Sequence, residues 1–275
     1  MIPGAFNALT AKLAERLGYS AIYLSGGALS AGWAGLPDIG LLTLTEFAEQ
    51  AAILARATNL PLLCDADTGF GEAVNVERTV RMYEEAGAAG LHLEDQVLPK
   101  RCGHLTGKSL IEPSAMAEKI RAAVRSRRDE AFVIVARTDS RSVEGFEAAL
   151  SRARIYLDAG ADVIFPEALE SADEFARFSQ TIQKPLLANM TEFGRSPLLD
   201  FDALASYGHY CGVLYPLTAL RAAMRAAELT LRDLRQTGTQ RGRLGQMQTR
   251  AELYDLLGYE EWEARDRLYF DRPEN

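Results

Sequence analysis

Apolar residues in this 275-residue chain gather in eight short runs separated by longer stretches of mixed polarity. The runs are IPGAF (2–6), AIYLS (21–25), LPLLCDA (60–66), GLHLE (90–94), FVIVART (132–138), DVIFPE (162–167), PLLANM (185–190) and YCGVLYP (210–216). Each is too short for a helix and too continuously apolar for a strand with one wet face. Each therefore reads as a parallel strand covered on both sides. Between them apolar positions recur at helical spacing, as in VERTVRMYEEAG (76–87). Several helices end in glycine just before the next run, as in AERLGYSAIYLS (14–25), YEEAGAAGLHLE (83–94) and YLDAGADVIFPE (156–167). Glycine there supplies a left-handed C-cap. Pro113, in EPSAMAEKIRAAV, marks a helix start.

Eight strands alternating with helices predict an α/β chain folded as a (β/α)8 TIM-type barrel, with a doubly wound open sheet as the alternative. PLTALRAAMRAAELTLRDLRQ (216–236) reads as the closing helix, which puts the barrel at 1–237. A polar link and a helical tail fill 238–275. Tyr254, Leu256, Leu257, Tyr259, Trp262, Leu268, Tyr269 and Phe270 make that tail too apolar to stand in water without a partner surface.

Composition narrows the function. With 48% hydrophobic residues the chain can build a large core, and 30 basic against 38 acidic side chains give a net charge of −8, which argues against a nucleic-acid surface. No run approaches the ~18 apolar residues of a membrane span. Cys64, Cys102 and Cys211 are odd in number and far apart, so a disulfide framework is not expected and a reducing cytoplasm is. Cys64 and Cys211 lie in apolar runs and read as small buried hydrophobes. Cys102 differs: PKRCGH places its thiol among Lys100, Arg101 and His104, a setting that favours reactivity.

In a barrel the active site lies where strands end and βα loops begin. Those positions hold Asn7, Ser25-Gly26-Gly27, Asp65 and Asp67, Glu94 and Asp95, Arg137 and Asp139, Glu167, and Asn189 and Thr191. Any one acid there could be a helix N-cap; together they predict a site. Asp65, Asp67 and Glu94 crowd carboxylates from two neighbouring strands, which must repel, take up protons or share a cation. All-oxygen ligands suit Mg²⁺. Zinc fits less well, because Cys102 and His104 have no second pair at zinc spacing. His92 alternates with leucines inside a strand and reads equally as a core histidine, and His209 reads as structural. The loops after the last two strands lack a glycine-rich phosphate site, which disfavours a phosphorylated substrate.

KRCGH (100–104), DADTGFG (65–71), YLSGGALSAGWAGLPD (23–38), LEDQ (93–96), NMTEFG (189–194) and TRAELYDLLGY (249–259) together resemble the isocitrate lyase/phosphoenolpyruvate mutase superfamily, in order and over essentially the whole chain. The cysteine loop is the mark of its lyase branch. The resemblance implies a Mg²⁺-dependent barrel, with Mn²⁺ as a substitute, that cleaves the tricarboxylate 2-methylisocitrate to pyruvate and succinate in propionate breakdown. Isocitrate, 2,3-dimethylmalate and oxaloacetate stand as alternative substrates. It implies Asp65 and Asp67 as metal acids, with Glu94 acting through water. Ser25, Gly26 and Gly27 would hold the pyruvate part, and Cys102, Gly103 and His104 would form a mobile catalytic loop. Arg137, Glu167, Asn189, Thr191, Arg221 and Arg250 would contact the substrate. It also implies a homotetramer, a dimer of dimers, whose tail helices are exchanged between subunits. In that chemistry Cys102 is expected to donate a proton as a thiol, Lys100, Arg101 and His104 to hold carboxylates, and Tyr23 to act as base.

Overall fold

In the computed structural model, which describes residues 1–270, a strand forms within each of the eight apolar runs. They are β1 (Ile2–Pro3), β2 (Ile22–Leu24), β3 (Leu62–Asp65), β4 (Gly90–Glu94), β5 (Val133–Thr138), β6 (Val163–Pro166), β7 (Leu186–Asn189) and β8 (Tyr210–Tyr215). Between and after them lie α1 (Ala8–Arg16), α2 (Gly26–Leu29), α3 (Leu44–Ala57), α4 (Ala73–Ala86), α5 (Pro113–Ser126), α6 (Phe146–Asp158), α7 (Ala172–Ile182), α8 (Phe201–Ser206), α9 (Thr218–Thr237), α10 (Arg250–Leu257) and α11 (Tyr259–Phe270). Every strand pair is parallel, in the order β1-β8-β7-β6-β5-β4-β3-β2. A parallel bridge from Gly4 to Tyr23 and a 2.9 Å bond from the Ala5 N–H to the Tyr23 carbonyl join β1 to β2. The sheet is thus a barrel, and the open-sheet alternative falls.

Local sequence explains the helix ends. Thr43 and Glu46 cap α3 reciprocally, Pro113 opens α5, and Gly87 closes α4 at φ 89°, where a Cβ would be strained. The strands' period of two then sorts the apolar runs. Ile22, Leu24, Leu62, Cys64, Leu91, Leu93, Ile134, Ala136 and Ile164 join one buried cluster with the helices. The alternate positions face the axis, where Tyr23, Val135, Phe165, Leu187 and Leu214 form a second cluster. Continuing each axis-facing series by two residues reaches Ser25, Arg137, Glu167, Asn189 and Pro216. One geometrical rule therefore builds both the plug of the barrel and the floor of the site above it.

Cys211 departs from expectation. It is exposed, because it sits near the start of β8 at the N-terminal mouth, where an apolar recess also lined by Ile2, Leu63 and Val163 opens. Cys64 is fully buried as expected. Among the described residues no helix is long and apolar enough to cross a membrane. The closing helix α9 ends at Gly238, and α10 returns to lean on α1, with Arg16 paired to Asp255. Beyond it α11 leaves Trp262, Leu268, Tyr269 and Phe270 between 66% and 79% exposed. The expected tail reaches further, and its last five positions, 271–275, lie outside the described residues.

Candidate functional site

The C-terminal mouth of the barrel is roofed by the loop that follows β4. Beneath it a cavity of about 60 Å³ is lined by Tyr23, Ser25, Gly27, Asp65, Lys100, Cys102, Gly103, His104, Arg137, Phe165, Glu167, Asn189, Thr191, Leu214 and Pro216, together with Asp38. Side chains from the ends of six strands and from two loops thus converge, and Ser25, Asp65, Arg137, Glu167, Asn189 and Thr191 stand where the strand-end rule placed them.

Asp65 anchors the floor. Its Oδ2 accepts from the Gly26 N–H (2.9 Å) and the Tyr23 hydroxyl (3.3 Å), and its Oδ1 from the Asp67 N–H (3.0 Å). Burial alone would raise its pKa, but His92, Lys100 and Arg137 oppose this and hold it down to about 2. His92 itself is driven to about 4 by burial, so near neutral pH its ring is uncharged and the cations that act on Asp65 are Lys100 and Arg137. His92 is a floor group: its Nε2 lies 2.7 Å from the Tyr23 hydroxyl and the two rings stack. Burial and the Asp65 charge push the Tyr23 phenol well above its ordinary value. This alters the role expected of Tyr23, because its resting form is the phenol, which must be relieved of its proton through neighbours before it can act as a base.

Asp67 and Glu94 are the acids without adequate partners. Asp67 adopts φ 45°, a left-handed conformation that aspartate adopts at a cost and that is characteristic of functional turns. Burial raises Asp67 to about 6, with Asp65 and Asp38 adding to the push and Lys100 opposing it. Burial drives Glu94 well above its ordinary value against the pull of Arg137. Asp67 Oδ1 and both Glu94 oxygens accept no hydrogen bond of good geometry, although Lys100 Nζ stands 2.8 Å from the first and Arg137 Nη1 3.1 Å from Glu94 Oε2. Orphaned, buried, oxygen-only donors of this kind fit a hard divalent cation. The expected three-acid cluster needs correcting, however. Among the described residues no three His, Cys, Asp or Glu groups converge as a ready-made cage, and Asp65 spends Oδ2 on Gly26 and Tyr23 and Oδ1 on the Asp67 N–H. A site of few carboxylates suits Mg²⁺, which retains several waters.

The cysteine loop forms the roof. Burial raises the Cys102 thiol above its ordinary value, with Glu167 adding to the push and the backbone at His104 opposing it. The cationic neighbours expected to make it a thiolate do not dominate: Arg101 turns out to solvent, and Lys100 dips to pair with Asp38 and Asp67. Gly103 passes so close to the wall that a Cβ there would stand 2.5 Å from Arg137 Nη2 and from Glu167 Cγ. His104 presents Nε2 2.7 Å from Glu167 Oε1 while its Nδ1 accepts the Arg195 N–H at 2.9 Å. The lone pair needed at Nδ1 leaves the ring proton on Nε2, facing Glu167. Arg137, held by Asp139 at 2.9 Å, lies over the Phe165 ring, and Asn189 donates to Glu167 at 3.2 Å.

Three expected contacts are not made within this chain. Gly26 spends its N–H on Asp65 and does not line the cavity. Arg221 is drawn to Glu192 and stacks on Phe193. Arg250 opens the exposed helix α10 and is not part of the cavity wall. Two residues escaped the sequence. Asp38 lies well past the end of β2, yet a Cβ on Gly27 would meet its Oδ2 at 3.2 Å. Lys108, in what reads as a plain polar loop, is buried and donates to the Gly103 carbonyl and to Asp139 (2.7 Å).

Comparison with known proteins follows the same lines. The phosphoenolpyruvate phosphomutase family model matches residues 1–235. A 2-methylisocitrate lyase from Aeropyrum pernix is 53% identical over 264 residues, covering 96% of this chain and 84% of its own. Among solved structures, oxaloacetate acetylhydrolase in complex with 3,3-difluorooxalacetate superimposes with a TM-score of 0.92 at 33% identity, covering 99% and 93% of the two chains. Phosphonopyruvate hydrolase in complex with oxalate and Mg²⁺ gives 0.89 at 32%, covering 98% and 94%.

Proposed function

Because the chain belongs to the phosphoenolpyruvate mutase/isocitrate lyase superfamily and is a lyase, we propose that it cleaves 2-methylisocitrate to pyruvate and succinate with the aid of Mg²⁺. The observation that carries this reading is a half-buried thiol on a glycine-containing loop, lining a small cavity with one apolar wall, whose Lys100 and Arg137 pair in turn with the orphaned carboxylates of Asp67 and Glu94. The 53% identity to a 2-methylisocitrate lyase, against 33% to an oxaloacetate acetylhydrolase, favours the lyase over the hydrolase.

The reaction breaks the bond between the carbinol carbon and its neighbour. The hydroxyl loses its proton, its oxygen electrons form the pyruvate carbonyl, and the electrons of the broken bond pass to the succinate half. Asp67 and Glu94, with Asp65 and Asp38 beside them, would hold the divalent cation, which supplies Lewis acidity toward the hydroxyl and the new 2-oxo acid. Ser25 and Gly27 border the pyruvate end, where Tyr23, linked to His92 and Asp65, is placed to pass on the hydroxyl proton. Arg137 and Asn189 offer donors to charge developing on the other half. Cys102 then gives its S–H proton to the succinate carbanion, and the thiolate recovers a proton before the next turnover. The roof excludes water that would otherwise compete for the carbanion.

The methyl group needs an apolar niche, and Phe165, Leu214 and Pro216 supply that wall. One methyl in such a niche discriminates by ~1–3 kcal/mol, or roughly 10–200-fold. On a panel of 2-methylisocitrate, isocitrate, 2,3-dimethylmalate and oxaloacetate, the first is expected to give the highest kcat/KM, with weaker but measurable cleavage of isocitrate. Phe165→Trp should fill the niche and shift the ratio toward isocitrate; equal loss on both substrates would remove Phe165 from selectivity.

The exposed Trp262, Leu268, Tyr269 and Phe270 of α11 support assembly with further copies of this chain, as a tetramer that exchanges tail helices and brings Arg250 to a neighbour's site. Sedimentation of the full chain at micromolar concentration is expected to give a tetramer, and a monomer would refute the exchange. Unpaired, separated cysteines support a reducing cytoplasm.

A further inference from the structure

The cysteine loop closes on a second loop as well as on the barrel. That second loop, residues 191–195 after β7, meets His104 in three ways. The Arg195 N–H donates to Nδ1 at 2.9 Å and Arg195 Nε to the His104 carbonyl at 3.3 Å. Gly194 lies so close to the ring that a Cβ would stand 2.6 Å from Nδ1, 2.9 Å from Cε1 and 3.0 Å from Cγ. Gly194 is outside the left-handed region, so its backbone does not call for glycine. The approaching imidazole does. The dock is braced from outside, where Glu192 pairs with Thr218 and Arg221 of α9.

In the closed roof Cys102, Gly103 and His104 line the cavity, and Gly103 lies so close to Arg137 and Glu167 that a Cβ would stand 2.5 Å from each. A tricarboxylate that reaches Arg137 has to displace this contact, so the roof has to lift to admit substrate and release products. Lifting it must separate His104 from Gly194 and Arg195.

We propose that the 191–195 loop is the dock that holds the cysteine loop shut, with Gly194 as the positioning residue that seats His104 against Glu167 and thereby sets Cys102 over the cavity. This deepens the proposed lyase reaction and rests on it for its consequence in turnover, but the dock itself can be read without substrate. The test uses the full chain carrying Cys211→Ser, so that Cys102 is the only accessible thiol, Cys64 being fully buried. Alkylation of Cys102 by iodoacetamide, followed by mass spectrometry, reports the open fraction of the roof. Gly194→Ala is expected to raise the alkylation rate and lower kcat, each by ~10-fold or more, with an unchanged thermal midpoint. Gly245→Ala, whose Cβ would meet nothing within 4 Å, should change neither. Wild-type alkylation in Gly194→Ala would overturn the dock even if kcat fell, and would leave the lyase reading intact. Should Gly194→Ala fail to fold, Arg195→Ala, which removes the Nε bond and the pairing with Glu170 but keeps the backbone N–H on His104, carries the test: a rise of about 2–5-fold is expected, and an unchanged rate overturns the proposal.

Discussion

Replacing Cys102 by serine is expected to lower kcat by ~10²–10⁴, the range for loss of a positioned general acid. Serine preserves the size and the hydrogen-bonding capacity of the group but holds its proton far more tightly than a thiol of ordinary pKa ~8.5. The location of Cys102 makes the test clean. Burial raises its pKa, which suits the proposed donor, and the variant differs in acidity more than in contacts. Substrate binding should be largely kept, because Arg137, Asn189 and Thr191 line the cavity from other elements. A variant that turns over at nearly the wild-type rate would remove the acid role. A variant whose KM rises with kcat unchanged would recast Cys102 as a binding group.

Exhaustive chelation is expected to abolish turnover, and added Mg²⁺ or Mn²⁺ to restore it. Asp67→Asn should raise the Mg²⁺ concentration needed for half-maximal activity by roughly 10–100-fold, and more than Glu94→Gln does. Asp67 holds a costly backbone conformation and leaves Oδ1 without a hydrogen bond of good geometry, whereas Glu94 already leans on Arg137. Activity that survives full chelation would leave two buried, proton-hungry acids with no function in the site. Equal metal requirements in the two variants would show that the acids act as a pair.

Much of this was legible in the sequence for one reason. A strand buried on both faces has to be apolar along its length, so Asp65, Asp67, Glu94, Arg137 and Glu167 stand out as charges that end apolar runs, and the barrel brings all such ends to one mouth. Cys102 was visible because its neighbours are polar. The misses share a different cause. Asp38, Lys108 and Gly194 reach the site through loops whose paths no periodicity records. Gly26 looked like a substrate-binding amide because a Ser-Gly-Gly turn says nothing about which carboxylate takes its N–H. Cys211 looked buried because an apolar run does not reveal which of its residues lies at the open mouth. Arg101 looked cationic toward the thiol, yet adjacency in sequence does not fix the direction of a side chain in a loop.

The most direct test of the central claim is to mix the chelated full-length protein with 2-methylisocitrate, add Mg²⁺, and quantify pyruvate and succinate together over time. The account predicts no release before the metal and equimolar pyruvate and succinate after it, faster than from any other acid of the panel. Release without metal, unequal products, or turnover of oxaloacetate to oxalate and acetate with 2-methylisocitrate untouched would contradict it.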